Sequence, residues 1–578
     1  MSSPLDKRGF GWLDLVLALA FALFFGTLSE RAYDQAKSAR PAQEGRFVGA
    51  LADPIHVAID GVYGAFIRES MDGGGVKVHN HQTTEPHEAA MIRPWEYLVG
   101  KLAGGGPAAV SDPASAAFHT ERRLAILLFA LGVGWLAAEL LQSFFLRAFA
   151  IGMAMLGGNL YGVVEWIGRD SALGLHLRSW LDGGVPNISG LGFSYPALLL
   201  GTPHLALEVA FFASAMAGAL CATRQLRQAA GNSRFFETVL LCSVALFLLA
   251  SIRPYTIPVA VLAIFAAFLP TLLGWDQGGR DSRFRAVVAL VVIALPTLPL
   301  LLHYRGLLHG DSVFSGLDVV HLSPPLLEQV LFFGPPVLLL FAVAPAAVRS
   351  YQALSSWSPA ALLLGAWLVA NLALGNSAPL CSWEVEALLP VSLGVLFLAL
   401  YWFQEYAKHV FLTWIAMAFV LWLGLSSSGQ RLSELEVRLA AGDTALWLTA
   451  DEAAVVDFLQ ANRSTTLDAN RSPGALVLKP SLARLIPWLS GMRVFTGHPD
   501  HTPEYGRKVE FEQRFFRTGQ GAALLAKGGV EFVVSTARSA EKEDALDGNQ
   551  RLERLFWAGI LRVDRIQEPK SGLKPSGD

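Results

Sequence analysis

Long apolar runs recur along the whole sequence, and they constrain the fold more than any other feature. Two of them are LAILLFALGVGWLAAELL at 124–141 and VLLCSVALFLLA at 239–250. A helix of about 20 mainly apolar residues crosses a bilayer, so runs of this kind are typical of membrane spans. The composition agrees, because 53% of the residues are hydrophobic and only 16% are charged. The sequence therefore predicts a mainly α-helical, polytopic membrane protein.

Charge and cysteine content exclude several other classes of protein. The formal net charge is −3, so nothing indicates binding to nucleic acid. The three cysteines are scattered and offer neither a disulfide framework nor the spacing of a metal site.

The first apolar run, 10–28, is longer than the core of a signal peptide, and no convincing cleavage site follows it. We therefore expect it to be a retained anchor helix.

The apolar runs predict about eleven transmembrane helices, and the charged loops between them predict the orientation. Short basic segments alternate with longer ones that are richer in Asp, Glu, His, Pro and Gly. Since Lys and Arg are enriched on the cytoplasmic side, the N-terminus is expected inside and the tail outside. The weakest point is the very short turn at 251–259. The predicted spans are 11–28, 122–141, 147–165, 203–221, 236–252, 256–274, 286–303, 328–348, 359–375, 386–402 and 409–426.

Two extramembrane pieces complete the predicted organisation. Residues 1–426 form the transmembrane domain, whose large first external loop spans 29–121 and contains two short amphipathic helices. Residues 427–578 are expected to form a small extracytoplasmic α/β domain. In this tail, 449–463 has the Thr cap and the apolar spacing of a helix, and two apolar segments, GALVLK and VEFVVST, are typical of buried strands. The predicted location is the inner or plasma membrane.

Acidic residues just beyond the first span are candidates for general-base chemistry. Asp34 is the preferred candidate, with Glu30 behind it and Asp60 third. A carboxylate at a membrane exit can take a proton from an acceptor hydroxyl or amine. The alternative is that all three are ordinary solvated charges.

Further candidates combine acids with arginines at the external ends of predicted spans. Arg is suited to phosphate because its planar guanidinium donates two parallel hydrogen bonds. Glu165 could join the catalytic acids, or form an interfacial salt-bridge cluster with its neighbours. Glu384 and Glu386 are either cavity acids or a solvated helix start. The candidate substrate-binding residues are Arg169, Asp170, His204, Glu208, Arg253, Tyr255, Glu384, Glu386, His498 and His501.

Two of these groups have spacings that point to a site. His204 and Glu208 are one helical turn apart and therefore share one face, at a depth where ionisable side chains usually face a cavity. They could also simply neutralise each other within the bundle. Arg253 and Tyr255 lie at an external boundary, where an arginine could bind a lipid phosphate or reach ordinary headgroups.

The tail contains FTGHPDHTPEYGRK at 495–508, with His498 and His501 three positions apart. Two histidines and nearby acids supply at most three metal ligands, and the prolines disfavour one smooth helical face. No metal site is therefore predicted. A loop that covers the external cavity, touching substrate or fastening the tail, and a purely structural turn are the remaining interpretations. No cofactor is indicated, and nothing in the sequence supports a divalent cation.

This arrangement resembles the GT-C superfamily of integral-membrane glycosyltransferases, in particular relatives of protein mannosyltransferases and aminoarabinose transferases (glycosyltransferase family 39). The segments that carry the resemblance are ERRLAILLFALGVGWLAAELL at 121–141, LSGMRVFTGHPDHTPEYGRKVEFEQRFF at 489–516 and GVEFVVST at 529–536. The family often has an Asp-Glu pair after the first span, whereas Gln35 follows Asp34 here. The resemblance implies transfer of a sugar from a polyprenyl-phosphate donor to an unidentified acceptor, with membrane lipids as further partners.

Two alternatives belong to other functional classes. A membrane scaffold or assembly factor that kept the glycosyltransferase shape would explain the missing acidic partner at Gln35. A transporter or lipid flippase is the second alternative, but transporters tend to show internal repeats, and none is visible. No soluble nucleotide-binding motif is present in the sequence.

Overall fold

The structure is a computed structural model, mainly α-helical, with short strands in the external segments. It describes residues 9–38, 45–49, 51, 54–104, 113–158, 195–228, 232–275, 279–310, 313–314, 333–343, 358–375, 389–406, 410–441, 447–463, 473–536, 546 and 549–567.

The helices are numbered here in chain order among the described residues. The first eleven are α1 Trp12–Ser38, α2 Pro54–Met71, α3 Pro94–Gly104, α4 Pro113–Leu140, α5 Phe144–Leu156, α6 Tyr195–Gly201, α7 Pro203–Arg227, α8 Asn232–Ile252, α9 Ile257–Leu273, α10 Arg280–Ala294 and α11 Thr297–His309. The later ones are α12 Pro359–Gly375, α13 Leu389–Tyr406, α14 Val410–Ala441, α15 Ala450–Ala461, α16 Pro480–Ser490, α17 Tyr505–Thr518 and α18 Ala522–Lys527.

Six helical segments among the described residues are long and apolar enough to cross a membrane. Four shorter apolar helices accompany them. The protein is thus a multi-pass membrane protein, whereas the count of eleven spans remains a prediction. The turn at 251–259 separates two helices, because α8 ends at Ile252 and α9 begins at Ile257. The six segments are Trp12–Ser38, Ala114–Leu140, Pro203–Arg227, Ser233–Ile252, Pro254–Leu273 and Arg280–Leu307.

Helix α1 is longer than the apolar run that predicted it. The run ends near residue 28, but the helix continues to Ser38. The added segment, SERAYDQAKS, contains several good helix formers and neither Gly nor Pro. The helix therefore extends past the apolar run, and Asp34 lies on its exposed side.

The chain divides into two compact units, each built from separate stretches of sequence. The first, the membrane unit, comprises Met1–Ala32, Arg122–Leu302 and Val319–Val437. The second, the external unit, comprises Tyr33–Glu121, His303–Asp318 and Arg438–Asp578. The first external loop thus shares a compact unit with the tail. The predicted boundary at 426/427 is a coarser division and remains a prediction.

Close helix packing in the membrane unit depends on glycines. A Cβ at Gly132 of α4 would lie 2.6 Å from the Ala210 carbonyl oxygen of α7, and one at Gly218 would lie 2.8 Å from Cys242 Cβ of α8. Because glycine has no Cβ, the backbones can approach this closely. Small residues at helix contacts are typical of packing in membranes.

Two buried ion pairs join the helices at one end of the membrane unit. Arg147 donates from NH1 to both carboxylate oxygens of Asp14, each at 2.8 Å. Arg224 pairs with Glu139 at 2.5 Å. These pairs connect α1 with α5 and α4 with α7.

Helices α1, α4 and α7 also carry charged residues towards their other ends, and these form a second layer of ion pairs. Arg123 forms a bidentate contact with Glu30, at 2.6 and 2.7 Å, and Arg253 approaches Glu208 at 3.7 Å. On each of α1, α4 and α7 the two layers are about 24 Å apart, at a rise of 1.5 Å per residue. The helix segments between the layers are apolar, as expected for the interior of a membrane.

A five-stranded mixed sheet forms the centre of the tail. Its strands are β5 Gly474–Val477, β6 Arg493–Val494, β7 Val530–Thr536, β8 Leu552–Ala558 and β9 Leu561–Ile566. Their order in the sheet is β6-β5-β7-β9-β8. Strand β5 pairs in parallel with β6 and β7, whereas β9 pairs antiparallel with β7 and β8. On one face, Leu476 and Val533 of the strands pack with Phe515 and Leu525 of the helices in one hydrophobic cluster.

The first external loop contributes α2, α3 and two short antiparallel ladders. Strand β2, Lys77–Val78, pairs with β3, Met91–Ile92. Strand β1, Arg46–Phe47, pairs with β4, Trp447–Leu448, which follows the last predicted span. The second ladder therefore ties the beginning of the external unit to the beginning of the tail.

The tail helix that begins at Ala450 has the cap that the sequence predicts. The Thr449 side chain accepts from the Glu452 N–H, and the Glu452 carboxylate accepts from the Thr449 N–H. This reciprocal capping box satisfies two backbone donors that a helix start leaves open.

Candidate functional site

A buried carboxylate, a guanidinium and a phenol meet at one end of the membrane unit. Glu208 of α7 is fully buried, and its carboxylate lies 3.7 Å from Arg253 Nε. Arg253 follows the last residue of α8 and hydrogen-bonds through NH1 to the Tyr255 hydroxyl. Its guanidinium carbon also lies 5.5 Å from the centre of the Tyr255 ring. We refer to Glu208, Arg253 and Tyr255 as the arginine cluster.

Local backbone structure explains how the arginine cluster is held. The proline of Arg-Pro disfavours helical backbone at the residue before it, so α8 ends and Arg253 takes extended angles, φ −140° and ψ 82°. A single 3-10 turn, Pro254–Thr256, then leads into α9. The Thr256 hydroxyl donates to the Arg253 carbonyl oxygen at 2.8 Å. The turn therefore holds Arg253 at the junction of two helices.

His204 lies on the same helix as Glu208, one turn nearer the start of α7, and is also fully buried. Just before α7, the Leu200 carbonyl oxygen of α6 accepts a hydrogen bond from Arg122 Nε at 2.6 Å. Arg122 is fully buried, and sequence reasoning did not single it out. It fastens the end of α6 to α4, next to the start of the helix that carries His204 and Glu208.

The three acids proposed as catalytic bases have different surroundings. Glu30 belongs to the bidentate ion pair with Arg123. Asp34 is exposed on the last turns of α1. Asp60 lies within α2, and its side chain is outside the described residues, as are Glu165, Arg169, Asp170, Glu384 and Glu386.

The histidine loop of the tail, residues 495–504, docks against residues 80–85 of the first external loop within the external unit. The His498 N–H donates to Gln82 Oε1 at 2.9 Å, and the Thr502 hydroxyl donates to the Gln82 carbonyl oxygen at 2.8 Å. Asn80 Nδ2 donates to the His501 carbonyl oxygen at 2.7 Å. The contacts involve mainly backbone groups of the loop.

A lysine strengthens this docking from the helix that follows the loop. Lys508 Nζ donates to Thr83 Oγ1 at 3.0 Å and lies 2.9 Å from a Glu85 carboxylate oxygen. Glu504, directly before α17, adopts φ 51°, the left-handed region that side chains other than glycine rarely occupy. This turn brings Lys508 back onto the first loop.

The two loop histidines lie side by side. Their ring centres are 5.5 Å apart at an angle of 64°. Burial lowers the pKa of His498 to about 3, with nearby Arg484 acting in the same direction. His498 is therefore neutral at physiological pH. No group of three or more His, Cys, Asp or Glu side chains suited to a metal occurs in the described part of the chain.

A second polar cluster, which sequence reasoning missed, lies within the first external loop. The buried carboxylate of Glu69, near the end of α2, accepts from His79 Nδ1 at 2.6 Å and from His81 Nε2 at 2.9 Å. It also accepts from the His79 N–H at 2.9 Å. We refer to Glu69, His79 and His81 as the Glu69 cluster. The sequence signal for this cluster is the segment VHNH, in which the two histidines alternate with other residues. In an extended chain this spacing places both imidazoles on one face.

The electrostatics of the Glu69 cluster favour a charged carboxylate. Burial opposes the ionisation of Glu69, but the hydrogen bonds from the two histidines outweigh it and hold its pKa well below the ordinary value. Burial lowers the pKa of the neighbouring His87 to about 4. The neutral His87 ring accepts from the Asn80 N–H at 2.9 Å.

Glycines reverse the chain between α2 and this cluster. Gly73 adopts φ +102°, which glycine tolerates because it has no Cβ. A Cβ at Gly74 would lie 2.8 Å from Glu69 Cγ. The triple glycine at 73–75 thus allows the strand to return directly over Glu69.

Comparison with solved structures identifies the architecture. The oligosaccharyltransferase of Archaeoglobus fulgidus, tethered to an acceptor peptide, superposes with a TM-score of 0.53 and 12% identity, covering 90% of this chain and 69% of that one. The archaeal oligosaccharyltransferase AglB, in complex with an inhibitory peptide and a dolichol-phosphate, gives 0.51 at 12% identity, over 91% and 70% of the chains. The chain has the fold of the GT-C glycosyltransferases.

A third structure agrees with this GT-C fold. The mycobacterial arabinofuranosyltransferase AftD gives a TM-score of 0.51 at 14% identity, covering 95% of this chain and 40% of its own. No protein-family model and no curated protein matches the sequence. The predicted resemblance to the GT-C superfamily is thus confirmed at the level of the fold.

Within the GT-C fold the arginine cluster has defined chemical abilities. A guanidinium that is partly neutralised by Glu208 and capped by a phenol can donate to phosphate oxygens. Because the cluster is buried among apolar helices, its electrostatic interactions are stronger than they would be in water. Such a position suits a ligand with a charged head and an apolar tail.

Proposed function

We propose that the protein is a membrane glycosyltransferase that moves a sugar from a polyprenyl-phosphate donor to an envelope acceptor on the extracytoplasmic face. The observation that carries the proposal is the buried arginine cluster at one end of a GT-C fold. The AglB structure, which shares this fold, holds a dolichol-phosphate. A lipid-linked phosphate is therefore the donor class that the cluster fits best.

The proposed reaction is a single displacement at the sugar. The acceptor hydroxyl or amine loses its proton to a carboxylate base and attacks the anomeric carbon. The bond between that carbon and the phosphate oxygen breaks, and the polyprenyl phosphate leaves with the electron pair. Arg253 donates hydrogen bonds to this phosphate as its negative charge increases.

Asp34 is the proposed base. It is an exposed carboxylate on the last turns of α1, and therefore available to an acceptor that arrives from water. Glu30 is a weaker candidate, because its bidentate pair with Arg123 occupies both carboxylate oxygens. His204 and Glu208 are proposed to shape the donor site around Arg253.

The proposed topology has eleven spans, a cytoplasmic N-terminus and an extracytoplasmic tail domain from residue 427. The two layers of ion pairs on α1, α4 and α7 support it, because charged groups belong at the two surfaces of the bilayer. The histidine loop is proposed to fasten the tail to the first external loop, since its backbone is bonded to residues 80–85.

Mass spectrometry of cell-envelope glycans, with and without the gene, tests this function. Loss of the gene should remove one sugar from one envelope component, and the wild-type gene should restore it. Asp34→Asn should fail to restore it while the protein reaches the membrane in normal amounts. Full restoration by Asp34→Asn would exclude Asp34 as the base.

The same experiment separates the proposal from a scaffold. A scaffold would leave the sugar composition unchanged, or change it equally with the wild-type protein and the Arg253→Ala variant. Accumulation of an unmodified acceptor together with unused lipid-linked sugar is the pattern expected of a lost transferase.

A further inference from the structure

His87 of the first external loop is held in its neutral form by two hydrogen bonds of opposite direction. Its Nδ1 atom lies 2.7 Å from the Glu85 carbonyl oxygen, which can only accept, so Nδ1 carries the proton. Its Nε2 atom accepts from the Asn80 N–H at 2.9 Å, so Nε2 carries none. A second proton on the ring has to bind at Nε2, where it would point at the Asn80 N–H.

Asn80 connects this ring to the tail. The residue is buried, and its side chain bonds in two directions. Nδ2 donates to the His501 carbonyl oxygen at 2.7 Å, and Oδ1 accepts from the Gln82 N–H at 3.0 Å. Gln82 in turn binds the His498 N–H and the Thr502 hydroxyl. A displacement of Asn80 therefore acts on several of the hydrogen bonds that hold the histidine loop.

The groups that face His87 disfavour a positive charge on its ring. Burial lowers the pKa of His87 to about 4, and His79, Arg493 and His81 act in the same direction, whereas the bond to the Glu85 carbonyl opposes the shift. The ring centre of His79 lies 5.7 Å from that of His87. The positive charge that acid would add is thus poorly accommodated in the docked form.

The neighbouring carboxylates are engaged elsewhere. Glu69 accepts hydrogen bonds from two other histidines, and the Glu85 carboxylate lies 2.9 Å from Lys508 Nζ. The uncharged ring of Phe314 covers a further side of His87, at 5.8 Å between ring centres. A protonated His87 would therefore gain no counter-ion from these groups in place of the hydrogen bond that it loses.

We propose that His87 is a pH switch that controls the docking of the tail on the first external loop. Protonation of Nε2 places two N–H groups against each other, breaks the bond from the Asn80 N–H and displaces Asn80 from the His501 carbonyl oxygen. The histidine loop then separates from residues 80–85, and it docks again when the proton leaves. The switch is independent of any sugar transfer.

The pH range of the switch follows from the linkage between docking and proton binding. In the docked form the ring takes up a proton near pH 4, whereas an exposed imidazole does so near about pH 6.5. The undocked form binds more protons between these values, so docking weakens by up to about tenfold per unit as the pH falls. His498 stays neutral in this range, since burial lowers its pKa to about 3.

Hydrogen–deuterium exchange of the full-length protein in nanodiscs tests the proposal. The Val494 N–H donates to the His81 carbonyl oxygen at 3.1 Å, and the His498 N–H donates to Gln82 Oε1 at 2.9 Å. Protection of these amides therefore reports docking. Exchange is measured at about pH 7, 5.5 and 4 and is corrected for the intrinsic effect of pH on amide exchange.

Protection of the peptide that contains 494–502 should fall by about tenfold at pH 5.5 and about 100-fold at pH 4, and it should recover when the pH returns to 7. Strand β7, Val530–Thr536, lies in the middle of the sheet and should stay protected throughout. Unchanged protection of 494–502 in the wild type would overturn the proposal. So would a parallel loss in β7, because the whole unit would then be unfolding in acid.

A substitution at His87 identifies the group that titrates. His87→Gln keeps one acceptor and one donor but cannot take up a proton, so protection of 494–502 should remain nearly constant between pH 7 and 4. Glu88→Gln, a matched change at an exposed neighbour, should keep the pH dependence of the wild type. An equal loss of protection in His87→Gln and wild type would assign the effect to another group. If His87→Gln does not fold, the comparison of 494–502 with β7 in the wild type still decides whether acid releases the loop.

Discussion

The carboxylate of Glu69 and the imidazole of His79 form a 2.6 Å hydrogen bond that joins the end of α2 to the segment after β2. The same segment continues into residues 80–85, which hold the histidine loop of the tail. The buried carboxylate of Glu69 therefore helps to hold the segment against which the tail docks.

Replacing this carboxylate should weaken the external unit. Glu69→Gln retains the shape of the side chain but removes the negative charge that accepts hydrogen bonds from both histidines. We expect the free energy of unfolding to fall by about 3–5 kcal/mol, as when a buried charge pair is broken. Thermal unfolding of the purified protein measures it. The exposed Glu510→Gln change, a matched control, should alter stability by no more than about 0.5 kcal/mol.

The pH dependence of that effect has a defined sign. Because the folded pKa of Glu69 lies below its ordinary value of 4.5, its stabilisation is present above that value and is lost as the pH falls towards the folded pKa. The stability difference between wild type and Glu69→Gln should therefore shrink below about pH 4.5. A difference that grows on acidification would contradict this assignment.

Two glycines in one stretch of the tail should respond in opposite ways. At Gly497 a Cβ would meet the Gln82 Oε1 atom at 2.0 Å, so Gly497→Ala must displace the acceptor of the His498 N–H. We expect a loss of about 1–2 kcal/mol, the cost of an unsatisfied buried donor, with faster hydrogen exchange over 495–504.

At Gly506 in α17, an added Cβ meets open space. Gly506→Ala should therefore be neutral or stabilise the protein by up to about 1 kcal/mol, because alanine favours helix. Equal behaviour of the two variants would show that the loop is not held by Gln82.

Glu512 is a buried acid whose charge opposes folding. Burial raises its pKa to about 7, so the folded protein holds a proton that the unfolded chain releases at lower pH. Stability should fall as the pH rises from about 4.5 to 7, by roughly 3 kcal/mol at 1.36 kcal/mol per pKa unit. Glu512→Gln should remove this loss at pH 8 and change little at pH 4, in unfolding experiments at both values.

Arg253 should be essential for transfer if it binds the donor phosphate. Arg253→Ala should lower the rate by about 100-fold or more, the usual effect of removing one donor to a developing negative charge. Arg280→Ala, at an exposed position at the start of α10, should leave the rate unchanged. Measured with a polyprenyl-phosphate sugar, equal rates for the two variants would exclude the phosphate role.

Local patterns in the sequence indicated several of the helices and singled out the residues of the arginine cluster, whose role stays a prediction. The one-turn spacing of His204 and Glu208, and the Arg-Pro that ends α8, are local signals, and the structure brings Glu208 and Arg253 to 3.7 Å. The cap at Thr449 was equally visible, because its two residues are three positions apart.

The docking of the tail could not be predicted in the same way. His498 and Gln82 are separated by 416 positions, and their contact uses a backbone N–H, which every residue except proline has. The Glu69 cluster was missed because Glu69 and His79 are ten positions apart across a glycine turn. Neither helical nor strand periodicity spans such a turn.

The separation between Gln82 and His498 also sets the timing of folding in the cell. At a synthesis rate of about 5–20 residues per second, the first loop leaves the ribosome roughly 20–80 s before the tail segment that completes it. During this interval its polar groups lack their final partners, and a chain that stops early never acquires them. A copy truncated before residue 495 would therefore leave Gln82 and its neighbours without the partners that the tail supplies.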